Sequence, residues 1–382
     1  MAGPLRQKLY GPALGAASVV LIVLAAEAGL RALGFTPRRL QSTARLFDPG
    51  WTLLLDCYPT NPRAYFDIDL RDPASRARYG HLSPQRFEAV VRRAPYAVES
   101  RYNSLRFRDV EFGPTRPGVR RVMVLGDSFT EGQGVKEADT YVRGLERRLN
   151  ADDPGRWEVL NCGRRGDDFP ALFHSFEEVL RHDPDIVVYG MVPNDADQSD
   201  GFRARQTYVN DFIMDRGWSL QGRPPPEMRL FDSRLFAFVE DRLESRRTAR
   251  ETTRWYLDMY GEPNREGWQR TQGYLREMNR RLREGGGRLL IASWPLLVDL
   301  EGEDPFGAAA ATVARFCVAA GIPRHDLRPA LRGRPASSLW VYPLDMHPNE
   351  VAHRLAAESL APVVRDLEPT LRQPHGSQPL SD

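Results

Sequence analysis

The chain reads as an α/β protein built on a mostly parallel sheet with helices on both faces. Three observations lead there. From Val119 onward, short apolar runs rich in β-branched residues alternate with segments whose apolar residues recur at helical spacing. Glycine, aspartate or asparagine follows most of the strand-like runs, as expected where a strand turns into a helix. Strands that alternate with helices imply right-handed βαβ units, and such units build a parallel sheet covered on both sides.

The elements follow in order. VRRVMVL (119–125) is a strand. Residues 138–150 carry Tyr141, Val142, Leu145 and Leu149 on one helical face. WEVLN (157–161) is the second strand, and 169–181 forms a helix burying Leu172, Phe173, Phe176, Val179 and Leu180. DIVVYGMV (185–192) is the most apolar strand. Residues 196–262 break the rhythm with Gly222 and a Pro224–Pro226 run, and read as an insertion with a helix near 231–260. Asn264 is placed to cap a helix that Gly285–Gly287 stops. RLLIASWPLL (288–297) is a strand, and Asp304-Pro305 opens a helix ending near Gly321. SLWVYP (338–343) is a short strand, and Asn349-Glu350 begins a last helix through about Leu367.

The N-terminus departs from this pattern. Gly11–Leu30 is a twenty-residue run whose single charge is Glu27. At about 1.5 Å per residue it just spans a hydrocarbon core of roughly 30 Å. Its apolar residues cover every face, which argues against a helix of the globular body. An uncleaved anchor is the favoured reading. A cleaved signal peptide stays open, because Ala26-Glu27-Ala28 resembles a small-x-small site. Arg6 and Lys8 precede the run while Arg31, Arg38 and Arg39 follow it, so charge does not settle orientation. A short tail inside with the body exported is the simpler topology. The expected divisions are 1–34 (tail and anchor), 35–118 (stalk and peripheral elements), 119–372 (main domain with the 196–262 insertion) and 373–382 (disordered tail).

Composition excludes some classes. The 382 residues carry a formal net charge of +2, which gives no global attraction to nucleic acid. The three cysteines, Cys57, Cys162 and Cys317, have neither CxxC nor Cys/His spacing, which argues against structural zinc or a disulfide framework.

The strand ends hold the candidate chemistry. VMVLGDSFTEGQG (122–134) runs from a strand into Gly-Asp-Ser. Gly126 to Gly132 has GxxxxG spacing, but Gln133 and Gly134 stand where a P-loop needs Lys and Ser or Thr. Alone, the tripeptide fits a capped turn as well as a nucleophile. The second strand is followed by NCGRRGDD (161–168), a turn whose glycines offer unobstructed backbone N–H groups. The third leads to GMVPNDAD (190–197), where the Asn194 amide is either a turn cap or a donor into the site. YPLDMHPNEVAH (342–353) sets Asp345 two residues before His347, an acid beside a candidate base. Glu131 reads as a solvated loop acid, His353 as a helix-surface residue and Cys162 as a small packing hydrophobe.

Together these blocks resemble the SGNH hydrolase family, also called GDSL esterases/lipases. GDSF (126–129), the glycine turn at Gly166, PND (193–195) and DMHPN (345–349) match its four blocks across residues 119–361. The resemblance implies a three-layer, flavodoxin-like α/β/α fold and a serine hydrolase acting on ester-linked acyl groups. It implies Ser128 as nucleophile, His347 as general base and acid, and Asp345 as the orienting acid. The oxyanion hole would comprise the Ser128 and Gly166 N–H groups and the Asn194 side chain. No metal or organic cofactor is implied. The family's usual acid stands three residues before the histidine, where this chain has Leu344. The DxH spacing resembles that of alginate-acetylating members of the superfamily. Val192 replaces the usual glycine two residues before Asn194. Segment 103–109, with Asn103 and Arg106–Asp109, resembles one that precedes the GDS strand in anchored members. The expected substrate is an acylated small molecule or glycan outside the cytoplasm. Transfer to a glycan hydroxyl and a non-catalytic glycan-binding scaffold are the alternatives.

Overall fold

A computed structural model describes residues 4–35, 67–68, 98–204, 231–342 and 345–371. Its elements are α1 (Pro4–Ala32), β1 (Asp67–Ile68), β2 (Val98–Glu99), β3 (Arg120–Gly126), α2 (Ser128–Glu131), α3 (Tyr141–Leu149), β4 (Trp157–Gly163), α4 (Ala171–Leu180) and β5 (Ile186–Met191). The second half adds α5 (Arg234–Met259), α6 (Arg265–Glu284), β6 (Arg288–Ser293), α7 (Gly307–Ala320), β7 (Arg324–Asp326), α8 (Arg328–Leu331), β8 (Trp340–Tyr342), β9 (Asp345–Pro348) and α9 (Glu350–Leu367).

Five parallel strands form the central sheet in the order β4-β3-β5-β6-β7. Along β3, Val122 and Val124 face one core and Met123 and Leu125 the other, because side chains alternate across a strand. The first core is closed by Val142 and Leu145 of α3 and Ala356, Leu360 and Val364 of α9. The second is closed by Phe176 of α4, Leu275 and Met278 of α6 and Phe316 of α7. Both faces are therefore dry, which explains the continuous apolar runs of a parallel sheet. The chain leaves β3 for β4 on one side and then returns to β5 on the other. β3 thus lies at the switch in strand order, where ligands bind beyond the carboxyl ends.

Two strand expectations change. Arg324–Asp326 completes the sheet although RHD has no apolar run. Its three residues are half-buried, and an edge strand needs no continuous apolar pattern. Residues 340–342 instead pair antiparallel with Asp345–Pro348, outside the main sheet. At the helix ends, Asn349 caps α9 by accepting from Val351 N and Ala352 N. Asn264 precedes α6 without a capping bond; its amide donates to Asp197 O and Met259 O and accepts from Ser199 N.

Candidate active site

β3 delivers Ser128 to the carboxyl end of the sheet. Asp127 caps the four-residue α2 by accepting Phe129 N–H, and Gly132 at φ +82° ends it. The approach of α2 depends on small residues below it. Gly163, Gly126 and Gly190 lie side by side in register across β4, β3 and β5. A Cβ at Gly163 would strike the α2 backbone, including the Thr130 carbonyl carbon at 2.6 Å. A Cβ at Gly190 would come within 2.5 Å of Thr130 Oγ1. The glycine row is the floor on which the serine-bearing turn rests.

Ser128 Oγ lies 2.9 Å from His347 Nε2 and 3.4 Å from Asp127 Oδ2. Residues 219 apart in sequence thus meet at hydrogen-bond distance. His347 sits on β9, and its ring packs edge-on against Phe129 with centroids 5.4 Å apart. Gln133 places its amide 3.2 Å from His347 Nδ1. When Nε2 accepts the serine proton, Nδ1 carries the hydrogen, and a half-turn of the Gln133 amide turns Oε1 toward it. Gln133 is buried, and sequence reasoning missed it; its place in the turn after the serine was the only signal. Asp345 belongs to β9 by its backbone, and its side chain lies outside the described residues.

Gly166 occupies the turn after β4 at φ +81°, with open space where a Cβ would stand. Gly163, the other glycine of that block, gives its N–H to Asn161 Oδ1. Asn194 is half-buried in the turn after β5. That turn is braced by Asp195, whose Oδ2 accepts from Val192 N at 2.8 Å and Tyr189 Oη at 2.7 Å. Burial raises the Asp195 carboxyl well above its ordinary range.

Surrounding residues hold these turns together. Glu131 is buried rather than solvated: it accepts from Tyr102 Oη, Arg165 N and the Arg165 guanidinium. It therefore ties α2 to the turn carrying Gly166. Arg108 is fully buried and donates to the carbonyls of Gly132 and Val135 at 2.6 and 2.8 Å. Asp109 accepts Asn161 N–H and pairs with Arg143. Segment 103–109 is thus a brace behind the serine turn. Cys162 is buried, and burial pushes its thiol well above the usual range, so it is a packing residue.

His353 is not on the helix surface. It is fully buried, stacks on Tyr141 at 5.8 Å and accepts Tyr141 N–H at Nδ1. Burial holds its pKa down at about 3. Below about pH 6.5 the unfolded chain takes up this proton and the folded chain resists it. The stabilisation is complete above that value and is lost as pH falls toward 3, on the order of 5 kcal/mol at full protonation. His353→Gln keeps an acceptor for Tyr141 N–H and removes the titration. Urea unfolding at pH 7 and pH 4 should show a smaller acid loss for the variant than for the parent. Equal losses would refute the assignment. Asp109 and Asp127, both raised to about 6 by burial, work in the opposite direction and are common to both proteins.

A cleft opens beside the Asn194 turn, at the carboxyl ends of β5, β6 and β7. Tyr260, Leu296 and Phe306 form its apolar wall, and Ser293, Arg324 and Asp326 its polar side. Arg324 donates to Ser293 Oγ at 2.8 Å and to Asp326 Oδ2 at 3.3 Å.

Residues 124–355 match the model of the GDSL-like lipase/acylhydrolase family. The chain belongs to this family and is an ester-hydrolysing serine hydrolase. Similar solved structures include the lipase/acylhydrolase from Enterococcus faecalis, at 15% identity, 68% of this chain, 100% of that one and TM-score 0.38. LAE5, a hydrolase from the metagenome of Lake Arreo, Spain, gives 15%, 68%, 98% and 0.40. A catalytic mutant of an acetylxylan esterase from Geobacillus stearothermophilus gives 14%, 65%, 94% and 0.38. A search of curated proteins finds no match.

Proposed function

We propose that this chain is a membrane-anchored serine esterase that removes a small acyl group, acetyl foremost, from an exported or envelope glycan. The observation that carries the reading is the 2.9 Å approach of Ser128 Oγ to His347 Nε2 at the carboxyl end of β3. His347 takes the hydroxyl proton as Oγ attacks the ester carbonyl. The developing oxyanion is met by Ser128 N–H, Gly166 N–H and the Asn194 amide, none of which has an acceptor among the described residues. Protonated His347 then gives its proton to the departing alcohol, leaving acyl-Ser128. Water attacks that ester with His347 again as base, and the acid is released. Asp345 takes the role of orienting Nδ1–H and balancing the imidazolium charge.

The cleft supports a sugar as the alcohol. Its Arg324–Asp326 pair is internally neutralised and, with Ser293, offers fixed donors and acceptors to hydroxyl groups at the rim. The apolar Leu14–Ala32 window of α1, with mean hydropathy 1.8 and no buried residues, supports the anchor. A short tail inside and the catalytic body outside is the topology we adopt.

Two assays test the reading. Full-length protein is given p-nitrophenyl acetate and an acetylated oligosaccharide, with and without a free oligosaccharide acceptor. Acetate release from both esters is expected. Acetyl transfer without acetate release would replace hydrolysis by transferase action, and neither product would sink the enzyme reading. In the same assay, Asn194→Ala should lower kcat about 10²–10³-fold, roughly 3–4 kcal/mol, with little change in KM. A change confined to KM would remove Asn194 from the oxyanion hole.

A further inference from the structure

Glu27, the one charge in the apolar run, is engaged rather than facing lipid. Its carboxylate accepts from Arg234 N at 3.0 Å, Leu235 N at 2.8 Å and Ser233 Oγ at 3.0 Å. These are the cap and first two residues of α5. Arg31 adds a bond to Glu27 at 2.7 Å and another to Asp232 O at 2.9 Å. Phe35 packs edge-on against Phe238 with centroids 5.3 Å apart. The N-terminus of a helix is where backbone donors and the macrodipole favour an anion, so α5 and Glu27 satisfy each other.

This clasp sets a depth. Glu27 lies five residues before the end of the Leu14–Ala32 window, about 7.5 Å along the helix axis. An ionised carboxylate at that level of a spanning helix is costly unless paired. Its partners must therefore sit at the same level, at the edge of the hydrocarbon. The beginning of α5 is apolar on its outer side to match. Phe231 is 94% exposed, Phe236 70%, Leu243 61% and Val239 46%. Phe236, Val239 and Leu243 stand at i, i+3 and i+7, along one stripe of the helix.

We infer that the first three turns of α5 form a second, non-spanning membrane contact, with this stripe seated in the interface beside α1. The inference rests on the membrane-anchor reading. α5 carries six arginines against five carboxylates, so the attraction is apolar insertion and calls for no anionic lipid. α5 ends next to Tyr260, which lines the cleft, and its Tyr256 ring lies 5.4 Å from that of Phe306. One helix thus links the bilayer surface to the cleft beside the Asn194 turn, giving that cleft a set position relative to the membrane.

The test uses the full chain in phosphatidylcholine vesicles, with Cys57→Ser as background. Nitroxide labels are placed at Phe236→Cys, Leu243→Cys and, as an aqueous control on α6, Arg280→Cys. Vesicle flotation is measured first, then label collision with oxygen and with a polar nickel chelate. The oxygen-to-nickel ratio at 236 and 243 should exceed the control by about threefold or more. Adding Glu27→Gln should bring the ratio at 236 toward the control while the protein still floats. Floating protein with control-like ratios at both positions would overturn the α5 contact and leave the anchor intact. Protein that does not float would overturn the anchor reading itself. Strong dipolar broadening between labels at 236 would show a second copy on the stripe and would equally overturn lipid as its occupant.

Discussion

Ser128→Ala should reduce ester hydrolysis by about 10⁴–10⁶-fold in kcat while leaving the fold intact. In the proposed mechanism the acyl-enzyme bond is built on this hydroxyl oxygen, so no neighbouring group would make up for its loss. The side chain is small and 8% exposed, and its contacts are to His347 and Asp127 rather than to a core. Two readouts separate chemistry from stability. A fluorophosphonate probe should label the parent and not the variant, and the two thermal transitions should agree within about 1 °C, as expected for a substitution worth under roughly 0.5 kcal/mol. Labelling that persists in Ser128→Ala would mean that another residue is the nucleophile.

Gly163→Ala should fail for a different reason. The added methyl group meets the backbone of Thr130 and Glu131, not the flexible end of a side chain. Either β4 or α2 must shift, and overpacking of this kind costs about 1–3 kcal/mol. A shift of α2 also carries Ser128 away from His347. Misplacement on the order of 1 Å lowers turnover about 10²-fold. Gly201→Ala is the control, because a Cβ there meets nothing within 4 Å. Urea midpoints and kcat for both variants decide the matter. Gly163→Ala with parental kcat and midpoint would show that α2 does not rest on this glycine.

Much of the sheet is legible in the sequence itself. β3 to β6 are apolar runs buried on both faces, and such runs stand out against polar turns. β7 was not legible, because Arg324, His325 and Asp326 lie at the sheet edge and need no apolar pattern. Residues 340–342 depart from the sequence expectation for the opposite reason. Trp340, Val341 and Tyr342 look like a core strand, yet they pair with β9, the strand that carries His347. Glu131 and His353 are buried against the sequence expectation because single-residue polarity says nothing about enclosure. Glu131 is enclosed by Arg165 and Tyr102, and His353 by Tyr141 and Trp294.

The order of strands, helices and glycine turns is a property of contiguous residues. Side-chain period and backbone preference express it locally, so it can be read along the chain. The meetings that matter are of another kind. Ser128 with His347, Glu131 with Arg165 and Glu27 with Arg234 are separated by 219, 34 and 207 residues. Strand order and the packing of helices on a sheet buried on both faces bring them together. No local preference encodes those distances, so they belong to the tertiary structure alone.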